Sequence, residues 1–162
     1  MQSKLLVFVV GLIVGFIVMG ILVWNIMPKM MLNVHKSSLD FDSTVTKLNE
    51  KAEEFGWHVP KIYDIQQSLI SADHEDMTRL KILSLCKPDY AYKILMEDGN
   101  KKVSAIMPCR IGVYETSAGE VYVSEMNIGL MSKMFGGTIE EVMSLAAEEE
   151  NNMIVSVKDN SE

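Results

Sequence analysis

Residues Leu5 to Met27 form a run of 23 without a single charged side chain, and only Trp24 and Asn25 near its end carry polar side-chain atoms. No soluble fold of this size can bury such a run as one helix and still build a core around it. As an α-helix rising about 1.5 Å per residue, it is long enough to cross a hydrocarbon core of about 30 Å with some tilt. A cleaved signal peptide would have a shorter apolar region, of about 7–15 residues, followed by a small-residue cleavage site. No Ala-x-Ala follows here, so an uncleaved single-pass anchor over residues 1–29 is the expectation, with the lipid bilayer as partner through Leu5 to Met27.

The flanking charges barely orient the anchor. Lys4 stands on one side, and Lys29, Lys36 and Lys47 stand on the other. Only Lys and Arg near a span set topology, and this tally does not decide; the usual signal-anchor arrangement gives a slight lean to an extracytoplasmic domain. Gly11 and Gly15 match a small-xxx-small spacing that lets two helix backbones approach, a pattern that also arises without meaning in Gly-rich spans.

The remaining residues suffice for one domain with one core. The chain's net charge is −7, which disfavours a phosphate backbone, so no nucleic-acid partner is expected. Two cysteines allow at most one intrachain bridge and exclude a disulfide scaffold.

Periodicity then divides residues 30–152 into elements. Met30 to Ser38 is expected to be a first strand. Phe41, Val45, Leu48, Ala52 and Phe55 recur at helical spacing, with Asp42 as N-cap and Gly56 just past the end. Trp57 to Tyr63, interrupted by Pro60, reads as a strand near an edge. Asp64 caps a short helix, and 71–77 is a polar loop. Arg79 to Leu85 is a strand with Leu80, Ile82, Ser84 and Cys86 on one face. Lys87-Pro88 opens a helix, because proline is favoured where its missing N–H needs no partner.

Met107 to Glu115 and Glu120 to Met126 form a hairpin around Thr116–Gly119. Its expected inner face is Cys109, Ile111, Val113, Val121 and Val123. Its outer face is Arg110, Gly112, Tyr114, Tyr122, Ser124 and Met126. Asn127 to Phe135 is one helix, ended by Gly136-Gly137. Thr138-x-x-Glu141 resembles a capping box opening another, with Ile139, Val142, Met143 and Ala146 buried. Residues 153–162 are expected to be a polar tail that frays. The resulting fold class is α+β, a mainly antiparallel sheet of about five strands covered by helices and preceded by one transmembrane helix.

Several of these residues resemble the prokaryotic family called domain of unknown function 302. They are Cys86-x-Pro88-x-x-Ala91, Pro108-Cys109-Arg110, the strand end Val113-Tyr114-Glu115, and Val121-Tyr-Val-Ser124 leading into Met126-Asn127. The helix ending at Phe55-Gly56 and the turn into Asp64 add to the likeness, which covers roughly residues 30–150. The resemblance implies an antiparallel sheet covered by helices, allows a dimer, and implies no reaction. Its members often carry a signal or membrane segment.

Both thiols of the chain lie beside prolines at element ends. Alternation sets Cys86 with Ile82 and Cys109 with Ile111; if both are core faces, the thiols point to the same side. Three readings stay open. The cysteines are small buried hydrophobes, as free cysteine usually is. Or they perform thiol redox or sulfur handling, with Lys87, Arg110 and a helix N-terminus favouring thiolate at Cys86. Or, with Met107 or Met126, they hold a soft metal such as Cu(I), or zinc with histidine help. His35, His58 and His74 are scattered, so no cofactor is predicted and the metal rests on Cys86, Cys109 and Met107 alone.

Elsewhere Glu115 and Glu125 are expected to be solvated strand-end carboxylates, and Glu148-Glu149-Glu150 a solvated run. Tyr114, Tyr122 and Ser124, with Arg110, form a candidate ligand or dimer face, since Tyr and Arg are enriched in interface cores. No Ser-His-Asp order and no phosphate loop is present, and no catalytic residue is assigned. The function expected is binding or sensing without turnover. The alternatives are thiol or soft-metal handling through Cys86 and Cys109, and homodimeric assembly.

Overall fold

The computed structural model describes residues 2–159. It opens with a helix, α1 (Gln2–Met31), whose segment Leu6–Met31 is long and apolar enough to cross a membrane and is not buried against the rest of the chain. Strand β1 (Leu32–Lys36) follows α1 with no linker. Next come α2 (Phe41–Glu54), β2 (His58–Asp64), α3 (Ile65–Ile70), β3 (Leu80–Cys86) and α4 (Pro88–Leu95). A 3₁₀ stretch (Asp98–Ile106) leads into β4 (Cys109–Glu115), β5 (Val121–Met126), α5 (Ile128–Ser132) and α6 (Gly137–Val155).

The five strands make one sheet in the order β1-β5-β4-β3-β2, with every neighbouring pair antiparallel. Paired residues point to the same face. Leu83 with Ile111, Lys81 with Val113, and Val113 with Val123 therefore define one surface. That surface is the core: Leu83, Ile111, Val113 and Val123 have no exposed area, and Leu48 of α2 and Val142 of α6 join them. Each such side chain contributes about 1.5–3 kcal/mol by leaving water.

The hairpin and its two faces are as the alternation predicts. On β3 the core face is instead Leu83 and Leu85, and the Leu80–Ile82–Ser84 row lies on the opposite surface. Both rows of this strand are largely apolar, so composition alone could not choose between them. Pro60 lies on edge strand β2 at a register shift between His58 and Lys61, where its missing donor costs no ladder bond.

Three local expectations change. Asp40, not Asp42, caps α2: its carboxylate accepts from the Ser43 amide at 3.0 Å. Gly136, at a φ of 69°, is the N-cap of α6, and the Thr138 hydroxyl turns away to donate to Glu97 at 2.8 Å. The polar tail is largely structure: α6 runs to Val155, Met153, Ile154 and Val157 are buried, and Ser37 bridges Lys158 beside β1.

Candidate functional site at the anchor-proximal end of the sheet

The strand register places one set of residues at a single end of the sheet. Leu32, which directly follows α1, pairs with Met126 at the end of β5. Glu125 pairs with both Asn33 and Ile111, so the start of β4 lies at this same end. Cys109 pairs with Leu85, which brings in the end of β3 and Cys86. The β4–β5 turn at Thr116–Gly119 lies at the far end.

A cavity of about 320 Å³ opens at this end. Leu32, Ile106, Pro108, Met126 and Ile128 give it apolar walls. Glu125, Glu150, Arg110, Ser124 and Cys109 supply its polar groups. That combination of an apolar pocket with few convergent polar atoms is the usual form of a small-molecule site.

Glu125 stands on the core side of β5 and is only 7% exposed. One carboxylate oxygen accepts from the Asn33 side-chain amide at 3.1 Å. The other, Oε2, is buried with no hydrogen-bond partner. Burial pushes the Glu125 carboxyl above its ordinary range, and the Asn33 bond offsets only part of that. Glu150 reaches the cavity from α6 and is 4% exposed. Burial, and then the charge of Glu125, push its carboxyl well above the ordinary range. Two carboxyl groups sharing a low-dielectric space cannot both ionise cheaply. The two therefore titrate as a coupled pair, each carboxyl held above its ordinary range.

Both glutamates were expected in solvent, and the structure corrects this. The signal for them is positional. Glu125 continues the inward row Val121, Val123, and Glu150 continues the α6 stripe Val142, Met143, Ala146. Their charge concealed a place that periodicity assigns.

The third glutamate of the run, Glu149, has a different task. Its carboxylate accepts from Trp57 Nε1 at 2.7 Å, from Lys87 Nζ at 2.7 Å and from the Tyr90 hydroxyl at 2.8 Å. Burial raises its pKa, but the bonds from Lys87, Trp57 and Tyr90 outweigh that and hold it below the ordinary range. The Trp57 and Tyr90 rings meet edge-on at 6.1 Å. This knot ties β2, α4 and α6 together. It also occupies Lys87, which the sequence places as a helper of Cys86.

Cys86 and Cys109 are free and half-buried. The Leu85–Cys109 pairing puts Cys109 on the core face, so the row containing Ile82 and Cys86 alternates to the other surface. The same-side expectation therefore fails for the strands as a whole. At their ends the two thiols nonetheless line one small apolar cavity, together with Met107 and Trp57. Burial, followed by the charges of Glu150 and Cys86, pushes the Cys109 thiol up to about 12. Among the described residues, no three His, Cys, Asp or Glu side chains converge in a metal-ligand group.

The outer hairpin face is assembled as expected. Tyr114 and Tyr122 stack with centroids 5.7 Å apart at an angle of 17°. Gly112 pairs with Ser124, and Arg110 is exposed opposite Ser84. Arg110 and Ser124 thus connect this face to the rim of the larger cavity.

No curated protein matches the chain. A solved structure titled as an uncharacterized conserved protein DUF302 from Bacillus stearothermophilus superposes with a TM-score of 0.71 at 18% identity. It covers 80% of this chain and 99% of its own, a likeness that shows the fold. The family model described as domain of unknown function DUF302 matches residues 33–159, which takes in the five strands and the cavity lining, except for Leu32, and the buried Val157 after α6. This chain belongs to that DUF302 family.

Proposed function

We propose that this protein is a membrane-anchored binding domain whose ligand enters the cavity between Glu125 and Glu150. The observation that carries this is the buried, unpartnered Oε2 of Glu125. An orphaned buried acceptor costs about 1–3 kcal/mol, and a ligand that donates a hydrogen bond to it removes that cost on binding. The apolar walls favour a small molecule with an apolar body and a cationic or donor-rich head. Burial pushes the cavity's Cys109 thiol up to about 12, which makes it a poor nucleophile, and we read the site as one for binding without turnover.

The test uses benzylammonium as probe, with benzyl alcohol and benzoate as neutral and anionic counterparts. The full chain in detergent should show a rise in Tm with benzylammonium, because a ligand that binds only the native state stabilises it. Benzoate should give none. Glu125→Gln should abolish the rise. Equal shifts in the wild type and in Glu125→Gln would refute the assignment.

A second reading is favoured by one observation, the shared cavity of Cys86 and Cys109. Two neighbouring thiols can close to a disulfide by giving two electrons and two protons to an oxidant. The high pKa of Cys109 opposes it, since thiolate is the attacking species. Intact mass before and after air exposure decides: loss of two hydrogens supports the pair, and an unchanged mass removes it.

A further inference from the structure

The short helix α5 is fastened to the end of α1. The Asn127 amide donates to the Met31 carbonyl at 2.8 Å, and its side-chain amide donates to the Met30 carbonyl at 3.1 Å. The Asn127 side chain also caps α5 by accepting from the Leu130 amide. A wholly apolar groove of about 650 Å³ runs between the two helices, walled by Val23, Ile26 and Met30 on one side and Leu130, Met131 and Met134 on the other. It extends along α1 from Met31 back to Met19, roughly three turns.

Beyond α5 the apolar surface continues. Met134 is 71% exposed and Phe135 40% exposed. Large apolar side chains projecting beside a groove without polar lining form a patch that water does not favour. The exposed lysines Lys29 and Lys133 lie beside it, as lysines do near an interface.

We propose that α5 and the Met134-Phe135 tip are a second membrane contact, immersed beside α1, with lipid acyl chains filling the groove. This rests on α1 spanning the bilayer. The apolar segment Leu6–Met31 would be about 39 Å long, more than a core of about 30 Å requires. Its last turns therefore stand at the level where acyl chains meet headgroups, and α5 is held at that level. The patch is continuous with the lipid-facing surface of α1, which selects acyl chains over a second protein as the occupant. Because Ile128 opens α5 and also lines the 320 Å³ cavity, seating α5 holds the cavity beside the bilayer surface.

The full chain, reconstituted in phosphatidylcholine vesicles doped with a phosphatidylcholine carrying a diazirine in its acyl chain, is irradiated and its adducts are mapped by mass spectrometry. Adducts are expected on α1 and on residues 128–135, at a yield severalfold above the β4–β5 turn 116–119. Met134→Asp should lower the α5 yield severalfold and leave that of α1 unchanged. Adducts on α1 but not on 128–135 would overturn the second contact alone. Adducts on neither would overturn it together with the spanning reading of α1.

Discussion

The carboxyl groups of Glu125 on β5 and Glu150 on α6 line one cavity, and the charge of the first raises the pKa of the second. Unfolded, each carboxyl releases its proton in the ordinary range; folded, each holds it to higher pH. Between those values the native state binds more protons, so stability is greatest below the unfolded pKa and falls as pH rises through the folded one. Glu150→Gln removes the proton uptake that burial forces on the native state, so it should raise stability at neutral pH and flatten its fall with rising pH. Denaturant titrations of the full chain from acid to neutral pH check this. A slope of stability against pH that stays as steep in Glu150→Gln would sink it.

Cys109 should resist alkylation. With a thiol pKa pushed up to about 12, only on the order of one molecule in 10⁵ carries thiolate at pH 7. Iodoacetamide on the native chain should leave Cys109 unmodified while denatured chain reacts at once, read peptide by peptide in the mass spectrometer. Rapid native labelling would show that the burial is wrong. Glu150→Gln removes the second-largest cause of the shift and should speed the reaction modestly.

Much of this fold was legible because alternation and turn chemistry agree. Val121-x-Val123 and Ile111-x-Val113 flank Thr116–Gly119, and Gly119 sits at a φ of 79° where glycine is favoured. The helix α2 was legible by its stripe, although two acidic residues near its start concealed which one caps it. The site was legible only in part. Periodicity places Glu125 and Glu150 on buried rows, but each carries a charge that locally argues for solvent, and the bonds that hold the half-buried Glu149 come from distant elements. Trp57, Lys87 and Tyr90 reach Glu149 across separations of 92, 62 and 59 residues, beyond any local pattern. The family resemblance rested on the cysteine-proline pairs, and these mark the correct end of the sheet without indicating its carboxyl groups.

Glu149→Ala should destabilise the domain by about 2–3 kcal/mol, since it leaves the buried Trp57 and the half-buried Lys87 and Tyr90 without their acceptor. Glu149→Gln keeps an acceptor for Trp57 or Tyr90 and loses the ion pair, so its cost should be nearer 1 kcal/mol. Because pairing holds the Glu149 carboxyl below its ordinary range, its contribution is present above the unfolded pKa and disappears as pH falls through the folded one. Urea midpoints of both variants against wild type decide the order. Equal loss in the two would mean that charge, and not hydrogen bonding, dominates.

The end of the chain should behave as core. Met153 is fully buried and Ile154 nearly so, whereas Val155 between them and the following turn is 50% exposed. Met153→Ala and Ile154→Ala should each cost about 2–5 kcal/mol, through lost burial and the cavity left behind. Val155→Ala should stay within about 0.5 kcal/mol, as an exposed position does. Beyond the helix, the Lys36 carbonyl accepts from the Asp159 amide at 2.9 Å, and the Ser38 amide donates to the Val157 carbonyl at 2.9 Å. These bonds close the chain's end onto the exit of β1, so truncation after residue 152 should loosen that strand as well as the core. Amide exchange reads both effects at once. In the truncated chain, protection should fall at Ser37 and Ser38 as well as along α6. If α6 alone lost protection, the end of the chain would be packing on the helix layer without holding β1 in place.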